Sequence, residues 1–284
     1  MIKVFAGIDE SDITADVISA SAWASMNLDA PLTLLHTIEK RESKSKSDLS
    51  GAIGFSSREH LLSELTELDE KRSKLASESG KILLQAAKKQ AEQTTSYPIE
   101  TLQRHGDIVD SFLELESTIR LVVIGRGGKS SNANNHTIGS HLETAARRLH
   151  SPILVTTPSF SSPSNFMIAY DGREAADNAI KKIVKSPLLK GLKCHLVMVA
   201  SRANEDTRHK IDSAKNLLTS EGFEVEATLL NGDIYPTLME YKKENNIELL
   251  VMGAYAHSKV RQFFVGSNTN KMIAESEIPL LILR

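Results

Sequence analysis

HGDIVDSFLELESTIRLVVIGRGG, residues 105–128, and NGDIYPTLMEYKKENNIELLVMGAYA, residues 231–256, spell one pattern twice: Gly-Asp, a segment of helical period, an apolar strand, and a glycine at its end. The match extends in both directions. Downstream, IGSHLETAARRLHSPILVTT (138–157) lines up with VGSNTNKMIAESEIPLLILR (265–284), and upstream KVFAGID (3–9) lines up with FMIAYD (166–171). The separations are nearly constant: 126 residues from Asp107 to Asp233, 128 from Gly125 to Gly253, and 127 both from Gly139 to Gly266 and from Pro152 to Pro279. Landmarks in register over such a length mean one supersecondary unit built twice. Asp9 and Asp171 are 162 apart, so the first copy holds about 35 extra residues ahead of its Gly-Asp.

The surplus falls in one place. RESKSKSDLSGAIGFSSRE (41–59) is rich in Ser, Lys and Gly without sustained periodicity, which predicts a mobile loop. After it, Leu61, Leu65, Leu68, Leu75, Ile82 and Leu83 recur at mostly helical spacing, predicting a long amphipathic helix over 60–93 with a break near Gly80. That helix is also a surface on which two chains could associate.

Each copy otherwise reads as five strands alternating with four helices. Strands are expected at 3–8, 32–37, 99–103, 121–124 and 153–156, and again at 167–170, 195–200, 224–229, 249–252 and 280–283. Short, nearly all-apolar strands such as LVVIG and ELLVMG belong in a parallel sheet covered on both faces. The fold class is therefore α/β: two tandem, doubly wound, five-stranded, Rossmann-like parallel sheets. TTPSFSSPSN (156–165), with two prolines and four serines, separates a first domain at 1–158 from a second at 166–284, with a linker at 159–165. One large barrel, which 284 residues would also allow, is disfavoured by this interruption.

Composition narrows the function classes. With 34 Lys+Arg against 36 Asp+Glu the formal charge is -2, so no global positive field holds the chain to nucleic acid or to an anionic membrane. Cys194 is the single cysteine, which excludes an internal disulfide and a Cys-rich zinc site and suits a reducing compartment. No apolar run is long enough to span a bilayer, and MIKVFAGIDE meets charge too early for a secretory signal, so the expected compartment is the cytoplasm.

In doubly wound sheets ligands gather beyond the carboxyl ends of the strands. In the second copy, Met252-Gly253 closes the fourth strand, Ala256 follows, and nine residues lead to Gly266-Ser267-Asn268-Thr269 at a helix start. Small residues permit close backbone approach, and a helix start offers unpaired amides and a positive dipole end to an anion such as a phosphate chain. The same spacing could serve the turns of a strand-loop-helix unit and nothing else. The first copy has Gly125, Gly127 and Gly128, a polar loop, then Gly139-Ser140. GKS at 128–130 suggests a P-loop, but Val123 stands where the leading glycine is required. A dinucleotide fingerprint fails as well, because the turns after the first strands read GIDES and AYDGR. Asp9 and Asp171 end those strands. Each could take ribose hydroxyls or Mg²⁺ beside phosphates, or cap the helix that follows.

At these residues the chain resembles the universal stress protein family in its tandem form. Nucleotide-binding members carry Gly-x2-Gly-x9-Gly-Ser/Thr after the fourth strand and an Asp after the first. GAYAHSKVRQFFVGS matches except that Ala256 replaces the second glycine, and GRGGKSSNANNHTIGS keeps the glycines with ten intervening residues. The resemblance implies ATP, with Mg²⁺ near Asp171, as ligand. Adenine would lie near Ala169, Tyr170 and Val199, or near Ile8 and Thr37 in the first copy. It also implies that the last strands, PILVTT and PLLILR, pair antiparallel across a pseudo-twofold axis, an intrachain pseudo-dimer. The implied role is a nucleotide-dependent sensor or adaptor in the stress response acting on a protein partner, without efficient catalysis. Two alternatives stand beside it: a nucleotide-free interaction module, and a nucleotidyl transferase or ATP pyrophosphatase. The latter's HxGH or SGGxDS motif is missing after both first strands.

Other residues carry less. The nine histidines show no tight ligand spacing, and no Ser stands in a G-x-S-x-G elbow. Cys194 and Trp23, the latter at helical spacing with Ile18 and Met26, read as core. Basic character relevant to an anion is confined to the loops holding Arg126, Lys129, Lys259 and Arg261.

Overall fold

The computed structural model describes residues 2–38, 55–127, 140–200, 204–253 and 267–284. The first copy runs β1 (Lys3–Gly7), α1 (Thr14–Asn27), β2 (Leu32–Ile38), α2 (Phe55–Ala91), β3 (Ile99–His105), α3 (Ile108–Leu115), β4 (Ile119–Gly125), α4 (Ser140–Arg148) and β5 (Ile153–Thr156). The second runs β6 (Asn165–Tyr170), α5 (Glu174–Lys185), β7 (Lys193–Ala200), α6 (Glu205–Ser220), β8 (Val225–Asn231), α7 (Ile234–Glu244), β9 (Leu250–Gly253), α8 (Ser267–Glu275) and β10 (Leu280–Leu283).

The strands form one ten-stranded sheet in the order β3-β2-β1-β4-β5-β10-β9-β6-β7-β8. Read outward from the centre, each copy contributes the same order. All neighbours are parallel except the central pair, where β5 and β10 run antiparallel with Leu154 opposite Leu281. The two five-stranded sheets expected from the repeat are therefore fused through their last strands. The fusion has a physical reason: the ILV of β5 and the LLIL of β10 are apolar, and each strand would otherwise leave an unpaired edge in water.

Strand residues alternate between two cores. Leu154, Ile168, Leu196, Val251 and Leu281 face α1, α2, α5 and α6; Ile153, Met167, Val197, Leu250 and Ile282 face α3, α4, α7 and α8. Burial on both faces is why the strands read as continuous apolar runs. The Gly-Asp landmark has a backbone cause. Gly106 and Gly232 turn the chain at φ +110 and +143, and Asp107 and Asp233 then occupy the N-caps of α3 and α7. The Asp107 carboxylate accepts from the amides of Val109 and Asp110 at 2.7 and 3.1 Å.

Two expectations change. Helix α2 begins at Phe55, inside the stretch read as loop, and passes Gly80 without a break; residues 41–54 lie outside the described residues. Gly80 is a close-approach position: a Cβ there would stand 2.4 Å from Gln103 Nε2 and 2.6 Å from His36 Cδ2, side chains of β3 and β2. Trp23 and Ile18 are buried, with the Trp23 ring 6.1 Å from Phe160, but Met26 is 45% exposed, on the outer side of a last turn whose Ala24 and Ser25 are buried.

Candidate functional site

At the carboxyl end of the second copy, β6 lies between β9 and β7, with Ala169 beside Met252 and Val197. Strand alternation sends Ala169, Val199, Met252 and Leu230 to one face, toward α7 and α8. Tyr170 goes to the other. It is 5% exposed, and its hydroxyl donates to Asp177 Oδ1 in α5 at 2.7 Å. Burial first, then the Asp177 hydrogen bond and charge, hold that hydroxyl well above the ordinary tyrosine range. The structure thus brings Ala169, Val199 and Met252 together and takes Tyr170 away to anchor α5.

Asp9 and Asp171 both project just past their strands, and neither is a helix cap. The cap residues are Ile13 and Arg173, and neither makes a side-chain cap bond. Asp9 Oδ1 accepts from the Ser11 amide at 3.1 Å, from Thr14 Oγ1 at 3.0 Å, and from the Ser11 hydroxyl. Asp171 Oδ1 accepts from the Arg173 amide at 3.0 Å, and its Oδ2 stands 3.8 Å from Arg173 Nε. Each carboxylate ties down the turn between strand and helix. Asp171 does so with fewer bonds and with its side chain 52% exposed.

The strand-end glycines have a packing role. A Cβ on Gly253 would lie 2.2 Å from the Ala175 carbonyl oxygen, and one on Gly125 would lie 2.6 Å from Ile13 Cγ2. These glycines let the start of α5, and the approach to α1, press onto the sheet. Their spacing in the sequence suggests ligand approach; in the fold they also serve helix–strand packing. Ser140 and Ser267 open α4 and α8 as expected, with Asn268 and Thr269 in the first turn of α8. Gly128, Gly139, Ala256 and Gly266, with Lys129, Lys259 and Arg261, lie outside the described residues.

Arg126 is used elsewhere. Its guanidinium crosses between the copies and donates to the carbonyl oxygens of Ala274, at 3.4 Å, and Ser276, at the carboxyl end of α8. Arg284 reciprocates on α4, donating to Arg147 O at 3.1 Å and to Leu149 O. Both put a cation at the negative end of a helix. Cys194 is fully buried, and burial pushes its thiol up to about 12, far from a reactive thiolate. Among the described residues, no three His, Cys, Asp or Glu side chains are grouped to hold a metal ion, and no helix is long and apolar enough to cross a membrane.

The two carboxyl ends differ. In the first copy a Cβ on Gly7 would stand 2.9 Å from Ile108 Cδ1 and 3.3 Å from Ile124 Cγ2, so Ile108 closes over that strand end. Gly7 pairs in register with Leu35, and two residues further along β2 Thr37 pairs with Arg104, a polar pair, with Arg104 held by Glu114. In the second copy the equivalent pair is Val199 and Leu230, both half-buried, and Ile234, the counterpart of Ile108, is 42% exposed. Among the described residues, the result is a half-buried apolar shelf of Ala169, Val199 and Leu230 at the strand ends, with Asp171 just past β6. Leu230 and Ile234 were not singled out in the sequence. Their signal was the position of LLNGDI at a strand end, where the apolar Leu230 is only half-buried against the core.

The doubled order 3-2-1-4-5, the antiparallel central pair and the helix start after each fourth strand match a known family. The universal stress protein family model fits residues 1–157 and 200–284. The chain belongs to the universal stress protein family. It is 28% identical over 280 residues to the universal stress protein Slr1230 of Synechocystis sp., covering 97% of each chain. In structure this universal stress protein is similar to one from Archaeoglobus fulgidus, with a TM-score of 0.72 at 16% identity and coverage of 99% and 98% of the two chains. It is also similar to one from Pseudomonas aeruginosa described as putative, at 0.62 and 13%, covering 99% and 93%. At such identities the structural likeness speaks for the fold.

Proposed function

We propose that this universal stress protein binds ATP in its second copy and acts as a stress-response sensor or adaptor in the cytoplasm, without efficient catalysis. The observation that carries the reading is the half-buried apolar shelf that Ala169, Val199 and Leu230 form among the described residues, with Asp171 just past β6, on the carboxyl side of a doubly wound sheet. A planar purine buries apolar area there, and Asp171 is placed to accept from ribose hydroxyls. The amides at the start of α8, at Ser267, Asn268 and Thr269, are the natural partners of a phosphate chain; Gly266, which precedes them in sequence, belongs to the proposed site by its motif. Asp171 fits Mg²⁺ only alongside the nucleotide, since one of its oxygens is already taken by the Arg173 amide. The ion's contribution when bound would be to neutralise phosphate charge. No assembled base and nucleophile accompany these groups among the described residues, so any hydrolysis would be slow.

The first copy favours a second reading for itself. Ile108 over Gly7 and the polar Thr37–Arg104 pair leave no apolar shelf, which supports a nucleotide-free interaction module at that end. Calorimetric titration of ATP into the protein tests both readings. One site should be seen, lost in Gly266→Asp and retained in Gly139→Asp. No heat in the unmutated protein overturns ATP binding, and loss only in Gly139→Asp moves the site to the first copy.

A further inference from the structure

Helix α2 spans 37 residues, about 55 Å at 1.5 Å per residue, and from Ser63 onward it is the carboxyl-terminal part that lies on the protein. Gly80, Leu84, Ala87 and Ala91 are buried against the sheet and α1, whereas every residue from Ser63 to Leu75 is exposed. Four large apolar side chains stand in water along it: Leu65, Leu68, Leu75 and Ile82, at 38, 49, 65 and 70% exposure. Leu68, Leu75 and Ile82 recur every seven residues, and Leu65 precedes Leu68 by three, the spacing of a coiled-coil seam. At about 100° per residue, Leu75 lies on the far side of the helix from Leu84, so the stripe faces away from the body.

Charge decides what covers it. From Glu64 to Glu70 the helix carries Glu64, Glu67, Asp69 and Glu70 and no base; from Lys71 to Lys81 it carries Lys71, Arg72, Lys74 and Lys81 against the single acid Glu78. The helix is a dipole of side-chain charge along its own stripe. A second copy laid antiparallel sets acidic segment on basic, whereas a parallel one sets like on like. The pairs Lys71–Glu67 and Arg72–Asp69 already formed within the helix are exposed, so their groups remain available to a partner.

We infer that α2 is a self-association element: two chains pair antiparallel through the Leu65–Ile82 stripe, Leu68 of one copy meeting Leu75 of the other and Asp69 lying beside Lys74. The intrachain pseudo-dimer uses β5 and β10 and leaves α2 untouched, so this contact joins whole chains. Sedimentation equilibrium of the full chain should show a monomer–dimer equilibrium that weakens at high salt. The double variant Leu68→Glu, Leu75→Glu should raise the dissociation constant by at least about tenfold, the size of a lost interface anchor, with an unchanged melting curve showing that the fold persists. Orientation is read by oxidative cross-linking: Leu68→Cys and Leu75→Cys chains should link when mixed and not when oxidised separately, the native Cys194 being buried. A monomer at all concentrations overturns the inference, as does a dimer indifferent to the double variant. Efficient self-linking of Leu68→Cys alone overturns the antiparallel arrangement.

Discussion

A Cβ on Gly253 would stand 2.2 Å from the carbonyl oxygen of Ala175 and 3.0 Å from the Ala176 amide nitrogen. Both are backbone atoms at the start of α5 and cannot rotate aside. Gly253→Ala should therefore force the helix off the sheet and cost about 2–3 kcal/mol, the range of overpacking strain. Gly125→Ala meets the Ile13 methyl first and should cost less, about 1 kcal/mol. Urea denaturation of the two variants measures the difference, and equal costs would contradict this account of the contacts.

Tyr170→Phe separates anchoring from ligand binding. Removing the hydroxyl leaves Asp177 without its 2.7 Å donor, at a cost of about 1 kcal/mol. Because the ring faces α5, ATP affinity should stay within about twofold, a shift of roughly 0.4 kcal/mol. A large loss of affinity without loss of stability would return Tyr170 to the nucleotide shelf.

Arg126→Met keeps the apolar stem and removes the donor to Ala274 and Ser276. The loss of a cation at the carboxyl end of α8 should lower stability by about 1–2 kcal/mol. The ATP titration should be unaffected if Arg126 serves the junction between copies and not phosphate. Arg284→Met is the matching test on α4.

Acid stability should carry a histidine signature. Burial holds the His195 imidazole below its ordinary value, although Glu226 at 3.9 Å pulls it back in part. A neutral histidine in the fold, beside the Tyr241 hydroxyl at 2.9 Å, takes up a proton more readily when the chain is unfolded. Its contribution is thus complete above the ordinary value of 6.5 and is lost as pH falls below it toward the depressed folded value. In denaturation midpoints taken from pH 7.5 downward, about a unit above the ordinary imidazole value, His195→Gln should flatten that slope.

Glu116 adds a second window lower down. Burial alone would raise its carboxyl, but the amides of Ser151 and His150 and the His150 ring bring it net below 4.5. Stability from this carboxylate is present above 4.5 and lost as pH falls through the depressed value. Glu116→Gln should reduce the dependence below pH 4.5, to which the similarly lowered Glu226 and Glu277 also contribute, while leaving the histidine slope intact.

The sequence by itself determined the architecture. Apolar strands such as LVVIG and LLIL can be satisfied only between helices, and Gly106-Asp107 and Gly232-Asp233 punctuate helix starts for reasons local to the backbone. A constant separation between repeated landmarks then leaves one reading, two copies of one unit. What lies within a few residues, or recurs at a fixed offset, is legible in a chain. The tertiary structure alone decided what depended on approach between distant segments. Gly253 and Gly80 are glycines because of Ala175 and Gln103, which no local pattern names. Tyr170 and Val199, both at strand ends, part company because adjacent positions on a strand face opposite cores. Arg126 and Arg284 each reach the last turn of a helix in the other copy. Ile108 and Ile234, identical in their motifs, differ in what they meet: Ile108 lies over the bare Gly7, whereas Ile234 is 42% exposed. Packing against a non-local neighbour decided which of the two isoleucines is covered.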